Sequence, residues 1–445
     1  MNSFFYKMKP NEELENRLTL WLNHLLVLYS FLIPIHNKSK SSIFFLMLIV
    51  FLYRMNFVKY LKDAFYNKII QALMIFYFIL ILGFLYTENI GYAMSSMDKV
   101  KYILFPLVFL SFLDKRFAPR VLISFILGVI FSSLCSYLIK FNIIPTSITF
   151  FDYEIYKTNI FDSSPFFNYI DMGIGISVVI SILLLKVFDA KTVLRIRLLY
   201  ISLVVFFIGN LSFLPGRTGY VVSLFLILFV IFYSFKNSKK ILLSIIILLI
   251  PLVSIIYLNS PVIQNRVGTT ISSINKIVNE QNYRTSIGLR IGFTVYSLKV
   301  IEKNLFLGVG TGDYMDEVRK IIPEKYKFLK DKHNIAQPHN VYIKTLLQVG
   351  LIGLFSLFFI LYRLATYKDC NYFNRGILLI LSISMFLFMF PGKLYGLFVF
   401  PMVAILISTS IVSKEWDIEF KEFSIKSFFI YSFFLFLFLI LGIIK

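Results

Sequence analysis

The stretch PHNVYIKTLLQVGLIGLFSLFFILY, residues 338–362, decides the fold. From Asn340 onward it is predominantly apolar for long enough to let a helix cross a membrane. We predict one continuous transmembrane helix here, with Pro338 suited to its first turn. His339 then lies at the mouth of that helix, where a long polar loop re-enters the membrane.

Two glycines follow the histidine at a helical spacing. On a continuous helix, Gly350 falls almost under His339, and Gly353 lies further around the same side. Glycines three residues apart let another helix approach closely. The sequence therefore predicts a packing seam that fixes the height and rotation of the helix carrying the imidazole.

The whole chain has the composition of a membrane protein. Of its 445 residues, 58% are apolar, which exceeds the share found in soluble globular domains, and the mean hydropathy is +0.78. We predict an all-α polytopic membrane protein with 12 or 13 transmembrane helices. The short runs 41–53 and 102–113 must borrow flanking residues or be kinked. The apolar runs are residues 19–35, 41–53, 69–86, 102–113, 121–139, 169–185, 198–214, 220–235, 241–258, 341–362, 376–390, 394–411 and 427–444.

Basic residues in the short loops predict the orientation. If the N-terminus is cytoplasmic, that side receives 23 Lys and Arg residues and the opposite short loops receive eight. We therefore expect a cytoplasmic N-terminus. This bias and the anionic membrane lipids that it faces explain much of the net charge of +21, so no nucleic-acid partner is needed.

Three parts of the chain are expected. Residues 1–258 form an N-terminal transmembrane bundle of about nine helices, residues 259–338 a periplasmic loop domain, and residues 339–445 the C-terminal transmembrane helices. The loop is predicted to contain an amphipathic helix at 287–302, lying on the membrane, because apolar residues recur there at helical spacing. Those residues are Ile291, Val295, Leu298 and Ile301. The following GVGTG, residues 308–312, lacks the strand of a nucleotide loop and predicts a turn.

Two arginines are candidates for phosphate binding. Arg217 stands alone in the turn PGRTG, on the side that topology leaves poor in positive charge, with glycines that would expose the backbone on both sides of it. Arg290 lies near the start of the loop helix. Either arginine could instead be a snorkelling or solvated side chain. A planar, bidentate guanidinium suits phosphate oxygens, and we predict this role for both.

His339 is a candidate base. A single histidine at an interface is more often structural, but a helix N-terminus favours the neutral imidazole and attracts anions. A base and a phosphate site could therefore coexist there. A metal site of His333 and His339 is a weak alternative, because no third ligand is defined. Asp171 is a candidate buried polar partner.

These residues resemble the O-antigen ligase and polymerase superfamily of bacterial envelope glycosyltransferases. His339-Asn340, nine further residues, Gly350 and Gly353 match the signature H-[NSQ]-x9-G-x-x-[GTY] of the ligases. The turn at Arg217, and the arginine helix followed by a glycine-rich turn, are similar to the same family. The resemblance in motifs is confined to residues 216–353.

The resemblance implies an inner-membrane enzyme of about 12 helices with a GT-C-related fold and a periplasmic active site. It would transfer a polysaccharide from undecaprenyl pyrophosphate to a sugar hydroxyl of lipid A-core, with inversion and without a metal, nucleotide sugar or other cofactor. By position, Arg217 and Arg290 would hold the pyrophosphate and His339 would orient or deprotonate the acceptor, while Asn340 would hold the histidine or cap its helix. A thirteenth span would depart from the usual topology.

Other functions remain open at this point. A polymerase that joins repeat units, or a protein O-oligosaccharyltransferase, would use the same lipid-linked donor. A flippase for lipid-linked oligosaccharides belongs to a different class. It would be expected to place charged residues deep between helices, whereas the three candidates here are predicted at one membrane face.

Overall fold

The computed structural model describes residues 12–413, except position 55, residues 151–152, residues 332–337 and most of residues 239–256. Within these ranges the regular secondary structure is helical apart from one hairpin, in which β1 (Ser147–Phe150) pairs antiparallel with β2 (Tyr153–Lys157). The α-helices are α1 (Glu12–Leu32), α2 (Asn37–Tyr53), α3 (Phe57–Phe65), α4 (Lys68–Leu82), α5 (Ile90–Val100), α6 (Phe105–Leu110), α7 (Ala118–Lys140), α8 (Tyr169–Val187), α9 (Leu194–Phe213), α10 (Arg217–Phe235), α11 (Pro261–Glu280), α12 (Ser286–Lys303), α13 (Tyr314–Ile321), α14 (Val341–Thr366), α15 (Tyr372–Met389) and α16 (Val399–Val412).

Six of the described helices, α7, α8, α9, α10, α14 and α15, are long and apolar enough to cross a membrane. The bent pair of α2 and α3, at 110° to each other, makes a seventh if it forms one span. These are the helices of a multi-pass membrane protein. The total of 12 or 13 spans stays a prediction, since the predicted span 241–258 lies mostly outside the described residues and 427–444 lies wholly outside them.

The two short apolar runs extend into their flanks, as predicted. The run 41–53 lies within α2, which begins at Asn37. The run 102–113 contains only the short α6, and the 3-10 turn Lys101–Leu104 joins α6 to α5. The change from a 3-10 turn to an α-helix makes this segment irregular, in line with the prediction that a run too short to span the membrane must be kinked or extended.

Most of the apolar side chains form one large core between the helices. At its centre is α8, where every residue from Asp171 to Leu183 is buried. Helices α1, α4, α7, α10, α14, α15 and α16 contribute to the same core. A helix that is predominantly apolar all round is expected at the middle of a membrane bundle.

A second, smaller core lies in residues 283–331, here called the loop unit. Phe293, Tyr296, Tyr314 and Leu329 pack together there with less than 10% of each side chain exposed. Two further members, Ile343 and Leu347, come from the first two turns of α14. The loop unit is therefore packed onto the end of α14 that follows His339.

Candidate functional site

Arg217 is the first residue of α10, and Gly216 is the N-cap of that helix. The sequence suggested that Gly216 and Gly219 expose the backbone on both sides of Arg217. In the structure, both glycines are instead closely covered by neighbouring residues. A Cβ on Gly216 would lie 3.1 Å from the Tyr169 ring, and one on Gly219 would lie 3.1 Å from the Cα of Gly173. The turn is closed because α8 and α10 pack backbone to backbone, which fixes Arg217 at the end of their crossing.

Arg290 lies in the second turn of α12 and is half-buried. Thr285 caps this helix by accepting a hydrogen bond from the Gly288 backbone N–H at 3.0 Å. The preceding chain folds back across the first turns, so that a Cβ on Gly288 would lie 2.7 Å from the Cα of Tyr283. These contacts fix the position of Arg290 through the local structure of the loop unit.

The predicted loop helix exists, but its predicted apolar face is mostly not its buried face. Ile291, Val295 and Leu298 are 38, 37 and 51% exposed, and Ile301 is buried. Buried instead are Phe293, Tyr296 and Val300. The helix is apolar on two sides, and the aromatic side faces the loop unit because it makes the larger contact. Ile291, Val295 and Leu298 form an exposed apolar stripe. The contact of this stripe with the membrane stays a prediction.

His339 lies two residues before α14 rather than in its first turn. The N-cap is Asn340, whose side-chain oxygen accepts a hydrogen bond from the Ile343 backbone N–H at 3.2 Å. Asn340 therefore caps the helix, and Pro338 lies outside it. The loop between α15 and α16 covers the histidine, since a Cβ on Gly392 (φ +72°) would lie 2.9 Å from the carbonyl carbon of His339.

Helix α14 is broken, which corrects the prediction of a continuous helix. The break occurs at Val349 (φ −139°, ψ 18°) and Gly350 (φ 62°, ψ −156°), a conformation that is essentially restricted to glycine. The expected alignment of Gly350 under His339 is therefore wrong. So is the expected helix-packing seam, because a Cβ on Gly353 would meet Val349 of the same helix at 2.2 Å.

The backbone of the glycine-rich turn occupies the break. The N–H groups of Val309 and Gly310 donate to the carbonyls of Leu347 and Gln348 at 2.7 and 3.1 Å. In return, the N–H of Leu351 donates to the carbonyl of Leu305 at 2.9 Å. A helix interruption frees backbone groups that must find other partners, and residues 305–310 supply them. We call residues 305–310 with 347–351 the junction.

Arg290 links the other two candidates electrostatically, because its positive charge acts on both Arg217 and His339. The positive charges of Arg266 and Arg290 act on Arg217. Burial, then the charges of Arg290 and Lys393, lower the pKa of His339 below its ordinary value. The imidazole is therefore held in its neutral form beside a concentration of positive charge, which suits a base next to an anion site.

One basic residue near the site was not among the predicted site residues. Lys393 Nζ lies 3.6 Å from Asp171 Oδ1 and donates a hydrogen bond to Asn168 Oδ1 at 3.4 Å. A sequence signal existed, because Pro391-Gly392-Lys393 repeats the Pro-Gly-cation order found at Arg217. Asp171 is buried, as the sequence suggested, and Lys393 is its ion-pair partner.

The alternative metal site is not tested by the structure. His333 lies outside the described residues. Among the residues that are described, no three side chains of the His, Cys, Asp and Glu types lie together as metal ligands.

The comparison with known families connects these residues. The family model described as O-antigen ligase matches residues 198–358. The matched segment begins in α9, ends in α14 and contains Arg217, Arg290, His339 and both glycines of the motif. No curated protein matches the chain. The match confirms the resemblance to the O-antigen ligase and polymerase superfamily that was found in the motifs.

Proposed function

We propose that the protein is an O-antigen ligase. It transfers a polysaccharide from undecaprenyl pyrophosphate to a sugar hydroxyl of lipid A-core at the periplasmic face of the inner membrane. One observation carries this proposal. Inside the family-matched segment, the positive charge of Arg290 acts on both Arg217 and the half-buried His339.

The donor's pyrophosphate is assigned to the arginines. The side chain of Arg217 comes from the membrane bundle and that of Arg290 from the loop unit, so a ligand held by both bridges the two parts. Neighbouring guanidinium groups repel each other, and a pyrophosphate between them relieves that repulsion. The same charges stabilise the negative charge that develops on the leaving pyrophosphate.

The acceptor hydroxyl is assigned to His339. The neutral imidazole takes the hydroxyl proton while the hydroxyl oxygen forms a bond to the anomeric carbon of the donor. The bond from that carbon to the phosphate oxygen breaks, and its electron pair leaves with undecaprenyl pyrophosphate. The imidazolium then releases its proton to solvent. A single displacement of this kind inverts the anomeric configuration and uses no metal or other cofactor.

The proposed location depends on the loop charges. With the N-terminus cytoplasmic, the loops carrying Arg217 and Lys393 and the start of α14 face the periplasm. The GT-C relationship belongs to the same proposal and is supported by the membrane-helical architecture and the lipid-linked donor.

Two rivals share the donor. A polymerase adds repeat units to a growing lipid-linked chain, and a protein O-oligosaccharyltransferase transfers the glycan to a protein hydroxyl. The histidine motif favours the ligase. A flippase is disfavoured because the candidate residues lie at the ends of helices and carry a base as well as cations.

Deleting the gene tests the proposal. Lipopolysaccharide is compared on a gel with the glycans still attached to undecaprenyl pyrophosphate. For a ligase we expect bare core together with long lipid-linked chains, restored by the plasmid-borne gene. Core carrying a single repeat would instead identify a polymerase, and an unchanged ladder with unmodified lipid-linked glycans would exclude both.

A further inference from the structure

Lys393 lies between the two parts of the proposed site. On one side, its partners are Asn168, the N-cap of α8, and Asp171 in the first turn of that helix. Both lie close to Tyr169, which packs on Gly216 beside Arg217. On the other side, the positive charge of Lys393 acts on His339, against which the neighbouring Gly392 packs. The loop between α15 and α16 therefore places a cation between the turn that carries Arg217 and the residue His339.

The ion pair that holds Lys393 is a loose one. Charge-assisted N–H···O bonds are usually about 2.7–2.9 Å long, whereas the Lys393 Nζ to Asp171 Oδ1 distance is 3.6 Å. Asp171 Oδ1 is buried and has no hydrogen-bond partner. The lysine side chain keeps 26% of its surface exposed. A flexible ammonium held in this way can turn toward a stronger anion nearby.

Lys393 is not the only positive charge that acts on Asp171. Lys40 in the first turn of α2 is 1% exposed, and its positive charge also acts on Asp171. Lys40 is itself fixed by hydrogen bonds to Asn37 Oδ1 at 2.8 Å and to the Leu397 carbonyl. Because a buried carboxylate without a partner is costly, the attraction of Lys40 reduces the cost of moving Lys393 away from Asp171.

We propose that Lys393 is a third ligand of the donor's pyrophosphate, alongside Arg217 and Arg290. Asp171 and Asn168 hold the ammonium in the arrangement seen here, and it passes to a phosphate oxygen when the donor binds. Each described site cation then comes from a different element, namely α10, the loop unit and the loop before α16. This inference rests on the proposed function, since it assigns a ligand to the same donor.

Steady-state kinetics of the purified full-length enzyme test this role. The donor is the undecaprenyl-pyrophosphate-linked glycan at varied concentration, with saturating acceptor. Loss of one charged hydrogen bond to phosphate should raise the donor KM of Lys393→Ala by roughly 10- to 100-fold. Inhibition by undecaprenyl pyrophosphate should weaken in parallel, while the acceptor KM stays unchanged. Lys393→Arg, which keeps the charge, should recover most of the donor affinity.

Two further variants control for structural effects. Lys393→Gln keeps a donor for Asn168 and Asp171 without the charge, and it should show the same rise in donor KM if Lys393→Ala fails to fold. Lys303→Ala removes an exposed cation from the C-terminal turn of α12 and should leave the donor KM unchanged.

The outcomes separate this inference from the proposed function. If the wild-type enzyme transfers glycan but Lys393→Ala and Lys393→Gln keep the donor KM and the inhibition, the lysine only anchors its loop and the inference is overturned. A fall in kcat with an unchanged donor KM overturns it too, because the lysine would then act only through His339. If the wild-type enzyme neither transfers glycan nor is bound by undecaprenyl pyrophosphate, the proposed function itself has failed.

Discussion

The membrane bundle and the loop unit reach order by different physical means. The bundle is held by a large apolar core around α8. The loop unit has a small aromatic core and depends on backbone hydrogen bonds made by its turns. Helix α14 serves both, since Val341 and Val349 lie in the large core and Ile343 and Leu347 lie in the small one.

This difference explains how the candidate site is assembled. Arg217 is fixed by helix packing in the bundle, Arg290 is fixed by the fold of the loop unit, and His339 stands where α14 joins the two. The relative placement of the three therefore depends on the junction of residues 305–310 with 347–351.

His339→Ala should have the largest effect, because His339 is the proposed base. General-base catalysis contributes about 10²- to 10⁴-fold, so glycan transfer by the purified enzyme should fall by that factor. Donor binding, measured by inhibition with undecaprenyl pyrophosphate, should persist because the arginines remain. Transfer at the wild-type rate in a folded His339→Ala enzyme would remove the base assignment.

A second histidine provides the control. His24 lies in α1, and its ring packs edge-on against Phe117 at 5.0 Å between centroids. His24→Ala should lose some packing but keep the transfer rate per folded molecule.

Gly350→Ala should have the next largest effect, because it disrupts the junction. The φ/ψ of Gly350 costs other residues about 1–3 kcal/mol, and a Cβ would lie 2.2 Å from the Phe306 carbonyl oxygen, a backbone atom that cannot rotate away. We expect a clear fall in the melting temperature of the detergent-solubilised protein and a strong loss of transfer.

Gly353→Ala and Gly268→Ala make this test specific. A Cβ on Gly353 would meet side-chain atoms of Val349 and Thr345, which can move, so a smaller loss is expected. Gly268 in α11 has nothing within 4 Å of an added Cβ, and its replacement should be neutral or slightly stabilising. Equal losses for Gly350→Ala and Gly353→Ala would show that the backbone contact at Gly350 does not determine the size of the loss.

The bundle could be predicted from the sequence further than the loop unit could. Hydropathy placed helices over every apolar run in the described residues, because a membrane span must be long and apolar whatever it packs against. The small hairpin of β1 and β2 was missed, since a short aqueous hairpin leaves no such signal.

The motif selected the candidate site residues, and local reasoning then failed at Gly350. A glycine two and a half turns into an apolar run has the same sequence appearance whether it packs a second helix or breaks its own. The deciding contacts come from residues 305–310, about 40 positions earlier, and no periodicity within residues 338–362 contains them. The aromatic face of α12 was missed for a related reason, because both of its sides are apolar and only the tertiary contact chooses between them.

Arg217→Lys and Arg290→Lys compare one cation from each region. Lysine keeps the charge but loses the bidentate geometry, so each change should raise the donor KM by roughly 10-fold and leave the acceptor KM unchanged. Arg284→Lys, an exposed arginine in the loop unit whose guanidinium lies 4.8 Å from the Phe328 ring, is the matched control and should be silent. A donor KM that changed for only one of the two arginines would assign the pyrophosphate to that region alone.

The pH dependence of transfer should show the smallest effect, and it tests the proposed role of His339 directly. Because burial, Arg290 and Lys393 disfavour the imidazolium, the pKa of His339 is lowered, and kcat/KM should fall on the acid side with a midpoint below about 6.5. Asn340→Asp keeps an oxygen to cap α14 but adds a negative charge beside His339. That charge favours the imidazolium and raises its pKa, so the acid limb should move to higher pH by up to about one unit. Asn340→Ser keeps a cap without the charge and should leave the midpoint in place. A midpoint that moved equally in both variants would mean that Asn340 acts on the histidine through the position of the helix and not through charge.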